Sequence, residues 1–218
     1  MSDLSALYDL RFAQTGVAKR QAVWRQLCAH FFAKLVPADS VILDVACGYG
    51  EFINNIRARK KYAIDLNEDS PRHLDADVQF FHASATDLSV LPRDEIDVAF
   101  TSNFLEHFRS KEQLDLFLRE LHSVLKPGGR FIILGPNIRY AYREYWDFYD
   151  HYLPLSDLSL VEALAISGFK AEKVIPRFLP FTMNNGAPTA DFIIRAYLKL
   201  PFAWRFFGKQ FLVVARKA

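Results

Sequence analysis

Val41-Ile-Leu-Asp-Val-Ala-Cys-Gly-Tyr-Gly-Glu51 is an apolar run broken by one acid and closed by two glycines. Val41, Ile42, Leu43 and Val45 have the doubly apolar, partly β-branched character of a parallel strand buried on both faces, which requires helices on either side. Gly48 and Gly50 then fall at the strand's carboxyl end, where open α/β sheets bind ligands. Asp44, inside so apolar a strand, is costly without a ligand or backbone partner, so a functional role outweighs simple helix capping.

Working outward, Val23, Trp24, Leu27, Phe31 and Leu35 form one helical stripe over residues 18–35, stopped by Pro37 and suited to covering one face of a sheet. Ahead of it, Tyr8, Arg11 and Phe12 read as a solvated arm or a flap. Downstream, residues 51–59 are expected to form a crossover helix and 61–65 a second strand ending in Asp65. Only a short segment around Pro71 leads to a third strand near 78–82. A fourth strand spans 96–101, a helix 111–125 ends at Pro127-Gly-Gly129, and a fifth strand spans 130–134. The tail supplies a helix over 157–167, a strand near 170–175, an apolar insert over 176–209 and a final strand over 210–215. This alternation predicts the α/β class with a doubly wound, Rossmann-like sheet. A single domain over 1–218 is expected: an N-terminal helical cap (1–36), a ligand-binding core (37–175), the insert, and a last strand (210–218).

The formal charge of +2 is small and its cations are dispersed, so no nucleic-acid partner is expected. Cys28 and Cys47 follow neither a CxxC nor a secreted-framework pattern, which suits a reducing cytoplasm. No secretory leader and no apolar run of membrane-spanning length is visible.

A nicotinamide-binding turn requires G-x-G-x-x-G, and its third glycine is replaced here by Ile53. That argues against an NAD-dependent oxidoreductase. Asp44, Gly48 and Gly50, followed by Asp65, suit instead a nucleoside without phosphates, whose ribose hydroxyls donate to the second carboxylate.

Leu43-Asp-Val-Ala-Cys-Gly-Tyr-Gly50 resembles the first motif of class I S-adenosylmethionine-dependent methyltransferases, with Ala46 where glycine is commoner. Ala63-Ile-Asp65 resembles the family's acidic ribose motif, Asp97-Val-Ala-Phe-Thr-Ser-Asn-Phe-Leu-Glu-His107 its fourth-strand motif, and Leu125-Lys-Pro-Gly-Gly-Arg-Phe131 its post-helix turn. Within the family the chain looks closest to the small-molecule branch of quinone, bacterial-glycan and antibiotic-pathway enzymes. The resemblance implies a seven-stranded sheet with a reversed C-terminal strand, and S-adenosylmethionine as cofactor. It implies that Asp44 orients the glycine loop, that Ala46, Cys47, Gly48 and Gly50 line the methionine part, and that Asp65 and Leu66 meet the ribose. Ser84, Ala85 and Asp87 fall at the adenine edge, and Asn103 and Phe104 face the methyl group. Tyr49, Phe104 and Phe108 are aromatic faces available to the sulfonium. No metal is expected.

A hydroxyl acceptor benefits from a base, and His107 and His151 are the candidates, with a structural His151 as the bland alternative. The aromatics of residues 140–152 suit a sugar or aromatic ring, or packing beneath the insert. Residues 188–209 interleave Phe, Ile and Trp with Arg and Lys. That mixture suits an acceptor lid, peripheral membrane contact for a lipid-linked acceptor, or a homodimer contact. The expected activity is methyl transfer to oxygen of a small molecule or glycan, with a catalytically silent binding module as the alternative.

Overall fold

The computed structural model describes residues 17–181 and 190–218, so the arm carrying Tyr8, Arg11 and Phe12 lies outside the described residues. Seven strands form one sheet in the order β3-β2-β1-β4-β5-β7-β6. β1 (Val41–Val45), β2 (Lys60–Asp65), β3 (Val78–His82), β4 (Ile96–Ser102) and β5 (Leu125–Pro136) pair in parallel. β7 (Gln210–Lys217) runs antiparallel between β5 and β6 (Phe169–Ile175), which is the reversed strand the motifs implied.

The central strands are buried on both faces, and their alternation divides the core in two. Leu43, Val45, Phe131 and Ile133 pack under α2 (Lys111–Val124) and α4 (Asp157–Ile166). Ile42, Val98, Phe100, Ile132 and Leu134 pack on the other face under α1 (Val17–His30). Each such side chain contributes about 1.5–3 kcal/mol of burial, so both helical layers are needed to hold the sheet. A short helix, α3 (Ile138–Ala141), follows β5. Ser110 caps α2 by accepting the N–H of Gln113, and Ser156 and Ser159 form a capping box at α4.

Three local expectations change. α1 stops at His30, and Phe32–Lys34 continue the apolar stripe as a 3₁₀ turn. Residues 51–59 form successive turns rather than a helix. Asn54 and Asn55 use their side chains against His73, Gln21 and the backbone of Glu51, competing with helical hydrogen bonding. α2 ends at Val124, so Pro127-Gly-Gly129 lies within β5 rather than forming the helix stop. Between β2 and β3 the connection is the expected short one, a 3₁₀ turn at Ser70–His73.

Within the insert, α5 (Asp191–Lys199) and α6 (Pro201–Phe207) bury Ile194, Leu198 and Trp204 in the core layer under α1. Trp204 meets Phe31 and Phe178 edge-on at 6.0 and 5.0 Å between ring centroids. Phe192, Phe202, Phe206 and Phe207 remain exposed on these helices. No helix among the described residues is long and apolar enough to cross a membrane.

Candidate active site

The glycine turn begins where β1 ends. Cys47 donates its N–H to Ile64 of β2 at 3.1 Å, and Gly50 donates to Cys47 at 2.9 Å. Ala46, Gly48 and Gly50 all take left-handed backbone angles, at φ 56°, 56° and 72°. At Gly50 the left-handed φ favours glycine, and a Cβ would also press on Leu74 Cδ2 at 2.6 Å. Ala46 adopts this region at a cost, and such strain concentrates at binding sites.

Asp65 accepts the N–H of Gly48 through Oδ2 and that of Asn67 through Oδ1, both at 2.8 Å. A carboxylate has about four lone-pair positions; with the Leu66 backbone also bonded to this carboxyl, capacity remains for a hydroxyl donor. Burial raises the Asp65 carboxyl, opposed by the N–H groups of Asn67 and Gly48. Asp44 is 3% exposed. Burial first, then the carboxylates of Glu51 and Asp65, hold its proton affinity well above the usual carboxylate range, opposed by a hydrogen bond with the Ile53 backbone. Several acids are thus gathered around one turn, an arrangement that a cationic ligand relieves. Glu51 is itself paired with Arg20 at 3.0 Å.

The remaining residues expected on the donor side are distributed around the carboxyl ends of β2, β3 and β4. Leu66 is exposed, and its carbonyl meets His82 Nε2 at 3.0 Å. Ser84 hydrogen-bonds Thr86, while Asp87 accepts the N–H of Ser89 at 3.1 Å, so the Asp87 carboxylate is engaged in its own turn. Hydrogen bonds from Ser89 hold that carboxyl below its ordinary value. Ala85 is buried against the core. Asn103 is left-handed at φ 49° and donates to Leu134 at 2.9 Å, bringing Phe104 against Phe108 and Phe117. One face of Tyr49 is covered by His73 at 4.0 Å between centroids. Cys28 and Cys47 are buried free thiols, pushed far up by burial, which removes them as nucleophiles.

Beside this lies a second group of side chains. Glu106 and His107 sit on a 3₁₀ turn after β4, and His151 comes from the loop after β5. The rings of His107 and His151 are 5.1 Å apart, and ligand-type atoms of Glu106, His107 and His151 all lie within 4.8 Å of one another. The backbone carbonyl of Glu106 accepts the N–H groups of Tyr152 at 2.8 Å and Leu153 at 3.0 Å, tying the two segments together. His107 Nδ1 lies 3.1 Å from Asp150 Oδ2 and 2.9 Å from the Asp150 carbonyl. Burial lowers the His107 proton affinity, but the Asp150 hydrogen bond and the Glu106 charge together raise it above the ordinary value. His151 stacks on Phe148 at 4.7 Å and 17°. β1 and β4 are adjacent, joined also by Thr101 Oγ1 donating to Val45 at 2.8 Å. The strand that leads into Glu106 and His107 is therefore the neighbour of the strand that leads into the glycine turn.

Both histidines proposed from the sequence therefore meet, although they are far apart in the chain. Asp150 escapes the sequence reading, and Glu106 enters it only as part of the Asp97–His107 motif. The adjacent acid–histidine pairs Glu106-His107 and Asp150-His151 were the available signal. Tyr145 is fully buried, with its hydroxyl donating to Leu153 at 2.7 Å, whereas Trp146 and Tyr149 are exposed rather than packed beneath the insert.

Comparison with known proteins agrees with this geometry. Residues 43–133 match a family model described as a methyltransferase domain. A ubiquinone/menaquinone biosynthesis C-methyltransferase of Rhodopseudomonas palustris is 36% identical over 109 residues, covering 43% of this chain and 41% of that protein. A probable S-adenosylmethionine-dependent methyltransferase of Mycolicibacterium smegmatis is 29% identical over 147 residues, covering 63% of this chain and 54% of that one. The chain thus spans about half the length of the curated relatives it matches. Among solved structures, a SAM-dependent methyltransferase from Archaeoglobus fulgidus superposes with a TM-score of 0.69 over 99% of this chain and 100% of that one, at 21% identity. Residues 43–133 thus carry the match to a methyltransferase domain, and the strand order with the reversed β7 is a fold shared with S-adenosylmethionine-dependent methyltransferases, to which the chain is similar.

Proposed function

We propose that the protein transfers a methyl group from S-adenosylmethionine to an oxygen of a small-molecule, sugar or lipid-linked acceptor. The observation that carries the donor assignment is the unit formed by Asp44, Asp65 and the glycine turn. It offers buried carboxyl groups, whose ionised form a cationic amino-acid ligand would favour, and lone-pair capacity to a ribose. Ala46, Cys47, Gly48 and Gly50 line the methionine part in this reading, with Leu66, Ser84, Ala85 and Asp87 toward the nucleoside and Asn103 and Phe104 toward the methyl group. The sulfonium is already a good electrophile. Catalysis then consists mainly of aligning the acceptor oxygen and excluding water.

Oxygen is favoured as the acceptor atom because Glu106, His107 and His151 form the polar group next to the expected methyl position, where a hydroxyl proton is to be lost. Exposed Trp146 and Tyr149 support a ring-bearing acceptor. The relative from Rhodopseudomonas is named for carbon methylation, and its match covers 41% of that protein. Exposed Phe192, Phe202, Phe206 and Phe207, interspersed with Arg195, Lys199 and Arg205, support contact with an anionic bilayer that presents a lipid-linked substrate. The free thiols of Cys28 and Cys47 support a reducing, cytoplasmic setting.

Calorimetric titration with S-adenosylmethionine tests the donor assignment. Formation of S-adenosylhomocysteine is then followed against quinols, sugars and lipid-linked glycans. Binding and acceptor-dependent turnover are expected. A folded protein that binds no S-adenosylmethionine would overturn the reading in favour of a silent module.

A further inference from the structure

No metal is expected from the sequence, but the group built from Glu106, His107 and His151 has the composition and support of a cation site. Its donors are one carboxylate and two imidazoles whose ligand-type atoms lie within 4.8 Å of one another. Glu106 and His151 are buried at 3% and 7% exposure. His107 donates from, or is held at, Nδ1 by Asp150, which leaves Nε2 as its coordinating nitrogen. A carboxylate on the far nitrogen of a ligating histidine is the usual outer support of a metal site, fixing the tautomer and strengthening the ligand. His151 is fixed by its stack on Phe148 and by Tyr145 at 4.7 Å. The bonds from Tyr152 and Leu153 to the Glu106 carbonyl hold the two ligand-bearing segments in register. The three donors are therefore placed by the fold and not by a ligand.

We propose that Glu106, His107 and His151 bind a divalent transition-metal ion and that the acceptor's hydroxyl completes its coordination. Two imidazoles and one carboxylate suit zinc, manganese, iron(II) or cobalt(II) better than magnesium or calcium, and three protein ligands leave an open position. The inference rests on the methyltransferase reading for the identity of the substrate, and it assigns the histidines as ligands in that reaction. A hydroxyl bound to the cation loses its proton to solvent water more readily. A lone pair of the resulting oxyanion forms the new O–CH₃ bond, and the S–CH₃ bond breaks with its electron pair moving to sulfur. The products are the methyl ether or ester and neutral S-adenosylhomocysteine, with one proton released and no net oxidation.

The test uses the full chain freed of metal with a chelator, then titrated separately with Zn²⁺ and Mn²⁺ by calorimetry. Bound metal is counted by elemental mass spectrometry. One equivalent is expected. Glu106→Gln and His151→Ala should each weaken binding at least tenfold, and Asp150→Asn about tenfold or more through the outer support. His30→Ala should leave binding unchanged. Circular dichroism establishes that each variant is folded. Should His151→Ala fail to fold, Glu106→Gln carries the test, because it keeps the size of the side chain. Cobalt(II) loading should give a visible ligand-field spectrum that Glu106→Gln alters. A folded parent that binds none of these ions, or variants that bind as tightly as the parent, would overturn the metal site. S-adenosylmethionine binding is measured on the same metal-free protein. Nucleoside binding without metal binding removes only this inference, whereas metal binding without nucleoside binding removes the donor assignment.

Discussion

Asp65 Oδ2 accepts the amide N–H of Gly48 at 2.8 Å, so the acid that ends β2 and the turn that follows β1 form one mechanical unit. Asp65 fixes the loop, and in the proposed reading it also offers lone-pair capacity to the ligand. Asp65→Ala is expected to weaken S-adenosylmethionine binding by at least tenfold, since charge-assisted hydrogen bonds are lost on both counts. Isothermal titration reads this directly. An unchanged dissociation constant in a folded variant would remove Asp65 from the site.

Ala46 holds a left-handed conformation at φ 56° in the same turn. A side-chain-bearing residue loses about 1–2 kcal/mol there, while glycine gives back about 0.4–1 kcal/mol through the unfolded chain. Ala46→Gly should therefore stabilise the protein by roughly 0.5–1 kcal/mol, or about 1–4 °C in Tm at this size. Urea denaturation checks it, and a loss of stability would show that the alanine methyl makes compensating contacts.

Asp44 gives a pH-dependent prediction. Burial and the nearby carboxylates of Glu51 and Asp65 raise its folded-state proton affinity, so the native state holds this proton more tightly than the unfolded chain does. The group consequently favours folding below about pH 3.9 and opposes it increasingly as pH rises through the folded value. Asp44→Asn should be more stable than the parent at pH 7, with the gap closing as pH falls toward about 4. One pH unit of separation corresponds to about 1.4 kcal/mol, which sets the scale of the gain. Thermal melts across pH measure it, and parallel curves for the two proteins would contradict the assignment.

Phe202 and Phe206 meet edge-on at 4.9 Å on the outer side of α6. Both are largely exposed, so replacing them together with serine should change folding stability by no more than about 0.5 kcal/mol per site. The same change should sharply reduce sedimentation with anionic phospholipid vesicles if this face meets a bilayer. Equal sedimentation would remove the membrane contact, and a parent dimer that the double substitution dissociates would assign the face to self-association.

The order of elements was legible because the relevant signals are local. Val41–Val45 is uniformly apolar except for Asp44, and all five residues are buried. The stripe of Leu114, Phe117, Leu118 and Leu121 likewise faces the core. Residues 51–59 misled because apolar Phe52, Ile53 and Ile56 imitate a helical stripe, whereas Asn54 and Asn55 divert the hydrogen bonds. At the candidate site, the glycine turn and its acids follow each other closely in the chain and could be read as motifs. The convergence of Glu106 with His151 depends on β4 and β5 lying side by side, a long-range fact that no local pattern encodes. Asp150 acquires its meaning only through His107, which is remote in sequence.

The placement of β7 bears on how the molecule is made. Residues 210–217 are translated after every other strand, yet they fill the gap between β5 and β6 and pair with both. A nascent chain can assemble β1 to β5 while still attached to the ribosome, but β6 has no neighbour to join until this last segment emerges. Completion of the sheet therefore waits for β7. Until then the edge of β5 is an open template for pairing with other chains, the interval in which a holding chaperone has the most to protect.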